Sequence, residues 1–379
     1  MALARRFDTI VIGVGGMGSA AVYHLARRGQ RVLGLERFDI PHSMGSSHGV
    51  TRIIRLAYYE HPSYVPLLRR SYELWRELET KVGEDLLHIT GSLDAGPAGS
   101  QCFEGSRASC IEHGLPHEVL TGAEVNARFH GYRLPDEHFA VFQPDGGYLL
   151  SERCIVAHVN AAQAHGAEVH AREQVTGWES RADGIRVTTD HGIYDADRLI
   201  ISAGAWVGGL VPALQAVTSP ERQVLAWLQP SRPELFEQAR FPVFNLFVDE
   251  GHFYGFPVVS VPGFKFGLYH HLNEQVDPDT MNRESDARDE SVLRAFAERY
   301  FPDGAGPTMA LRTCMFTNAP DEHFILDVHP DDARVIVASP CSGHGFKFSS
   351  VIGEITADLA ETGETRHDIS LFRLSRFSA

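Results

Sequence analysis

Residues Phe7 to Glu36 constrain this chain more than any others. Phe7 to Ile12 (FDTIVI) is a short apolar run rich in β-branched residues that stops at a glycine cluster, the pattern of a buried parallel strand. Gly13, Gly15 and Gly18 then fit G-x-G-x-x-G. The first glycine permits a tight turn, the second lets the backbone approach a pyrophosphate, and the third lets helix and strand pack closely. Phosphates bind at such a helix N-terminus because its free N–H groups and its dipole both favour negative charge. A second strand, Arg31 to Leu35, ends at Glu36, at about the spacing where an acid accepts hydrogen bonds from an adenosine ribose. The motif predicts a dinucleotide site without separating FAD from NAD. Glu36 argues against NADP, whose extra phosphate it would repel.

Length sets the next bound: 379 residues suffice for two domains or one two-lobed unit. The net charge of −15 disfavours nucleic acid and anionic membranes, so a small-molecule partner is expected. No apolar run is long enough to span a bilayer, and the opening residues lack the apolar core of a signal peptide. The five cysteines, at 102, 110, 154, 314 and 341, lack paired spacing and read as reduced thiols of a cytoplasmic protein. No metal site is expected.

After Glu36, the glycine- and serine-rich loop Arg37 to Val50 breaks the βαβ rhythm and is free to run along a cofactor, making Arg37, Ser46 and the following Thr51 candidate contacts. Leu67, Leu68, Tyr72, Trp75 and Leu78 recur at helical spacing and predict a helix from about Ser63 to Glu79. Arg52 and Arg55 are three apart and would share a face if their segment were helical; among apolar neighbours, a buried arginine needs an anion. Residues 85–148 read as loops around short strands, after which a βαβ-like rhythm returns and ends at Gly204. From Arg222 to Cys314 the pattern predicts an antiparallel sheet, with one helix from Glu290 to Phe301. The tail holds a buried strand within Arg334 to Ser339, then Gly343, Gly345, Phe346 and Lys347, and a helix with Ser349 or Ser350 as N-cap and Gly363 as its stop. Two helix N-termini imply a ligand negative in two places, which a flavin with a pyrophosphate at one end and a reducible ring at the other satisfies. The expected class is α/β (α+β): a doubly wound FAD-binding domain from residues 1–84, 149–218 and 319–379, interleaved with an antiparallel-sheet substrate domain from 85–148 and 219–318.

The motifs FDTIVIGVGGMGSAAVYHLARRG, SSHGVTRIIR, FYGFP, GFKFG, CMFTNAPDEHFILDVHP and SGHGFKFSS run in order over nearly the whole chain. Together they resemble the monomeric sarcosine oxidase and N-methyltryptophan oxidase family. The resemblance implies a flavoenzyme, monomeric, that oxidises the secondary amine of an N-methyl amino acid with O2, giving peroxide and an imine that hydrolyses. It implies a thioether from Cys314, within Cys314-Met315-Phe316-Thr317, to the 8α-methyl of FAD. Lys265 matches the lysine near the flavin N5 that promotes reaction with O2, where a fixed ammonium stabilises new negative charge. Arg55 and Lys347 match the pair that binds the substrate carboxylate, and Arg52 the arginine against the ring. His48, Tyr254 and His270 match residues lining the substrate cavity. Sarcosine is the first expectation, with N-methyltryptophan, pipecolate and fructosyl amino acids as bulkier alternatives. From other classes, a nicotinamide-dependent dehydrogenase and a non-catalytic flavin binder remain. The chain departs from the family at Val50, where an acid is usual, at Ser47 and at Pro340-Cys341. One extra residue between Lys265 and Asp277 leaves open whether His270, Tyr269 or His271 is the match.

Overall fold

The computed structural model describes residues 5–377. The strand Arg5–Ile12 lies inside an eight-stranded sheet, parallel to Val32–Leu35 on one side and Ile193–Ile201 on the other. Val11 faces one core and Ile10 and Ile12 the opposite one, as a period of two requires. Glu168–His170 extends the sheet beyond Val32–Leu35, and Asp332–Ser339 joins parallel to the end of Ile193–Ile201. The helices Gly16–Arg27, Ser151–Ala164 and Ser349–Thr362 pack over one face. Val207, Val211 and Leu214, from short helical turns, cover the other.

Two of these helices lie nearly backbone to backbone: a Cβ on Gly353 would stand 2.6 Å from Ala20, and one on Gly16 would stand 3.0 Å from the Phe346 ring. Their N-termini therefore open side by side. Neither has a side-chain cap: the cap residues are Gly15 and Phe348, and Ser349 and Ser350 lie inside the helix rather than capping it. Gly363 does end the second helix, in the left-handed conformation at φ 78°.

A second eight-stranded sheet runs in the order Thr308–Asn318, Ser219–Leu228, Phe264–Leu268, Gly251–Phe256, Val243–Val248, Ser92–Pro97, His138–Gln143, Glu118–Thr121. It is antiparallel except where Val243–Val248 runs parallel to Ser92–Pro97, so the loop-rich stretch contributes three strands to it. Alternation sorts this sheet into two unlike faces. Val224, Ala226, Phe244, Phe253, Phe264 and Phe266 point to one side and pack with Phe296 of the helix Ala287–Tyr300, whose rings include a 3.7 Å stack of Phe253 on Phe296. That helix starts at an Asp286 capping box, a turn before the expected Glu290. The other side carries Cys314 opposite Gln223, Lys265 opposite Trp227, Tyr254 opposite Gly267, and Asp94 opposite Asn245. One face is thus a hydrocarbon core and the other a row of chemically active side chains.

Arg52 and Arg55 do not share a helical face. Thr51–Ile54 is a strand in a small sheet with Gly147–Leu150 and Leu87–Ile89, so residues three apart diverge. The helix that follows spans Val65–Val82 after a tight turn at Pro62–Tyr64. Among the described residues, no helix is long and apolar enough to cross a membrane.

Candidate active site

A cavity of about 470 Å³ opens at the paired helix N-termini and is lined by Gly13, Gly15, Glu36, Gly204, Gly343 and Gly345 among others. A Cβ on Gly15 or Gly204 would meet nothing within 4 Å, so at both points bare backbone faces open space. Gly18 serves packing instead, since a Cβ there would lie 1.7 Å from the Gly13 carbonyl and hold helix and strand apart. Glu36 is held by N–H groups of Val14 at 2.9 Å and Phe38 at 3.0 Å, which fix its carboxylate on the cavity wall with acceptor capacity remaining. Arg37 and Ser46 also line the wall, but Arg37 is paired with Asp279 at 2.6 Å. Thr317 Oγ1, on the same wall, is buried with no protein partner. Free amides at one end, a ribose-competent acid and an open hydroxyl fit a dinucleotide.

Beyond the cavity, the active face of the second sheet meets the loop 46–52. Cys314 is buried, with Sγ 3.7 Å from both the Ser46 carbonyl and Arg52 Nη2. Burial alone would push this thiol up; His48 and Arg52 beside it outweigh burial and bring it down to about 7. Lys265 Nζ donates to the Thr51 carbonyl at 2.8 Å and to Thr51 Oγ1 at 2.9 Å, and lies 4.2 Å from the Phe256 ring centre. Burial, reinforced by Arg52, holds its ammonium well below the ordinary lysine range. Thr51 is thus bonded to Lys265 and is not among the residues lining the cavity. Tyr254 stands on the same face, half-buried, packed on Gly267.

A second cluster forms where Arg55 leaves the small sheet. Arg55 is 1% exposed; its Nη2 donates to both Glu60 oxygens, at 2.8 and 2.9 Å, with Asp94 at 3.6 Å from its Nε and the Ala57 carbonyl accepting from Nη1. Its guanidinium lies 4.5 Å from the centre of the Tyr58 ring, and Lys347 Nζ lies 5.2 Å from the same centre. Lys347 donates to the His344 carbonyl at 2.9 Å; burial, helped by the Arg55 charge, brings its ammonium down to about 7. Burial would raise Glu60, but Arg55, His344 and Lys347 together pull it down to about 2. His344 Nε2 faces the Glu322 carbonyl at 2.9 Å and so carries the proton, which leaves Nδ1 to accept from Tyr58 at 2.6 Å.

The expectation for His270 is corrected by geometry. Gly267 and Tyr269 lie two apart, on the active face, and the Tyr269 N–H continues the ladder to the His252 carbonyl at 2.7 Å. His270 turns outward at φ 57° and sits between Glu221 at 2.9 Å and Glu322 at 3.0 Å, which raise it to about 9. His271 is also directed elsewhere, onto Asp289 at 2.8 Å.

Sequence reasoning misses Glu60, Asp94, Tyr58 and Glu152. Glu152 accepts from the N–H groups of Gly49 at 2.6 Å and Val50 at 3.0 Å, holding Val50 at φ 74° and setting a negative charge near Arg52 and Lys265. A carboxylate from a distant helix thus stands near the loop position where the family usually carries its own acid. The one signal for Glu60 and Asp94 is the buried arginine's need for an anion.

Comparison with known proteins bears on the family and the fold. The chain is 43% identical to a monomeric sarcosine oxidase of Bacillus sp. (strain NS-129), over 99% of this chain and 98% of that protein. It is 35% identical to an N-methyl-L-tryptophan oxidase of Yersinia pestis (strain Pestoides F), over 98% of this chain and 99% of that one. Among solved structures it superposes on the open form of NikD, an unusual amino acid oxidase essential for nikkomycin biosynthesis, with TM-score 0.85, 27% identity and 97% of each chain covered. The profile of the family called FAD dependent oxidoreductase matches residues 8–359. From its glycine-lined cavity to its last helix, this chain belongs to the FAD dependent oxidoreductases.

Proposed function

We propose that the protein oxidises the secondary amine of an N-methyl amino acid, sarcosine first, at the expense of O2. In net terms, the N-methyl amino acid, O2 and water give the demethylated amino acid, formaldehyde and H2O2. FAD, when bound, supplies the two-electron acceptor that links amine to oxygen. Residues 1–84, 149–218 and 319–379 form the part that holds it, with the helix N-terminus at Gly15 taking the pyrophosphate and Glu36 the ribose. The segments 85–148 and 219–318 form the substrate layer.

The single observation that carries this reading is the convergence of Arg55 and Lys347 on one tyrosine ring, with an internal carboxylate, Glu60, already on Arg55 Nη2. A substrate carboxylate replaces Glu60 on Arg55 Nη2, with Lys347 as a second donor. The amine must be neutral to react. Burying it beside the Arg55 guanidinium favours loss of its proton, because loss of water and a neighbouring cation both raise the energy of an ammonium. His48, Arg52 and Tyr254 wall the reacting region. Cys314, whose thiol is brought down to about 7, would be the sulfur of a thioether to the flavin 8α-methyl. The S–H bond and one methyl C–H bond would break, both protons would leave, and the two electrons would pass through the flavin to O2, giving H2O2. Lys265 stands as a fixed N–H donor; its protonated form, disfavoured by burial beforehand, is favoured once reduced oxygen forms beside it and then stabilises that anion. All five cysteines are free, consistent with a reducing, cytosolic setting, and the name of the relatives, monomeric sarcosine oxidase, supports a monomer.

The test is peroxide release from purified flavoprotein given sarcosine, coupled to acid precipitation. Peroxide equal to sarcosine consumed, with yellow colour retained by the precipitate, supports both parts of the reading. No peroxide with any N-methyl amino acid overturns the activity, and a colourless precipitate overturns the link to Cys314.

A further inference from the structure

One aromatic strip connects the cofactor cavity to the carboxylate clamp. It starts at Phe316 and Gly343 on the cavity wall, and Tyr269 covers both: its ring centre is 4.8 Å from that of Phe316, and a Cβ on Gly343 would lie 2.3 Å from its hydroxyl. The His252 ring stacks on Tyr269 at 4.7 Å and 18°, and Tyr59 meets His252 edge-on, its hydroxyl 3.3 Å from Nε2. The Arg55 guanidinium lies 4.3 Å from the Tyr59 ring centre, closing the path. A substrate whose carboxylate rests on Arg55 and whose nitrogen faces the cavity must lie along this strip.

Tyr269 cannot swing aside cheaply. Its N–H is bonded to the His252 carbonyl at 2.7 Å and its hydroxyl donates to the Ser342 carbonyl, so the ring is held at both ends. Both hydroxyls of the strip are bonded within the protein, that of Tyr59 to His252 Nε2 and that of Tyr269 to the Ser342 carbonyl, which leaves ring faces toward a ligand. Such a wall favours an apolar neighbour over a charged or hydroxylated one, and with Tyr269 anchored by its hydroxyl a larger substituent would have to displace the ring.

We infer that Tyr269 is a specificity-determining residue: it limits the substituent at the substrate's Cα to hydrogen or a small alkyl group. This rests on the amine-oxidase reading above. The experiment compares kcat/KM for sarcosine, N-methyl-L-alanine and N-methyl-L-phenylalanine in wild type, Tyr269→Phe and Tyr269→Ala. Wild type should fall steeply along that series. Tyr269→Ala should raise the ratio of N-methyl-L-phenylalanine to sarcosine by about tenfold or more, the scale on which a pocket discriminates size. Tyr269→Phe, which keeps the ring and loses only its anchor, should preserve the wild-type order. An unchanged ratio in flavin-loaded Tyr269→Ala, or a wild type indifferent to size, overturns the inference. If Tyr269→Ala does not fold, Tyr269→Leu, which keeps apolar cover on Gly343, is read by the same criterion.

A turnover-independent readout separates this inference from the activity it rests on. Acetate should perturb the visible absorbance of the bound flavin in wild type and phenylacetate should not, whereas Tyr269→Ala should respond to both. That pattern in a protein that oxidises no amine sustains the size limit while the proposed reaction fails. Equal response of wild type to both acids overturns the size limit itself.

Discussion

At the cavity end, Gly15 and Gly204 face open space and both helix N-termini lack side-chain caps, whereas at the clamp end Arg55, Lys347 and Lys265 are all buried and already bonded to protein oxygens. The first region is a backbone site, complete before any ligand arrives. The second is a side-chain site, in which an incoming carboxylate must exchange places with Glu60. Damage to the two should therefore look different: steric and confined to the cofactor in one, electrostatic and visible in substrate kinetics in the other.

The largest effect is expected from Arg55→Ala, a hypothesis motivated by its pairing with Glu60. Losing a buried charged contact costs about 2–5 kcal/mol, so KM should rise steeply. Glu60 and Asp94 are stranded by the same change, so a lower melting temperature should accompany it. A KM like the wild type's would remove Arg55 from the clamp.

Lys265→Met should come next. Anaerobic reduction by substrate should be nearly preserved while reoxidation by O2 slows on the order of 10²–10³-fold, the usual cost of removing one preorganised donor from a developing anion. Equal slowing of both half-reactions would assign Lys265 to amine oxidation instead.

Gly15→Ala sharpens the contrast from the other side. The added methyl meets no protein atom within 4 Å, so the apoprotein should melt as wild type does. FAD affinity should fall by about 1–3 kcal/mol through overpacking against the pyrophosphate. Unchanged affinity would mean that the cofactor does not approach the backbone there.

The smallest effect is a pH dependence. Lys347 is held down to about 7, so its charge is present below that pH and is lost as pH rises through it. Binding of acetate, which carries no amine of its own to titrate, should weaken above about pH 7 by no more than about tenfold per unit. Lys347→Met should abolish that limb. A wild-type affinity flat from pH 6 to about 9 would show that Lys347 does not bear on the anion.

The same contrast explains what can be read from the residues alone. The cavity end follows from local rules: an apolar run, glycines at fixed spacing, a helix and an acid all lie within Phe7 to Glu36. The two faces of the second sheet also follow from alternation once register is known, but register is a long-range property. Nothing local pairs Cys314 with Gln223 or brings Glu152 to the amides of Gly49 and Val50. The spacing of Arg52 and Arg55 suits a helix, but the strand pairing of Ile53 with Tyr148 prevails over it. Residue type favours His270 over Tyr269, but a one-residue shift beyond Lys265 reverses which side chain faces inward.

The most direct test is anaerobic mixing of the purified protein with sarcosine, followed through the visible absorbance of its bound flavin. Complete bleaching is expected, with one equivalent of peroxide per flavin on admitting O2. A flavin that stays oxidised with sarcosine and with every other N-methyl amino acid offered would contradict the proposed reaction.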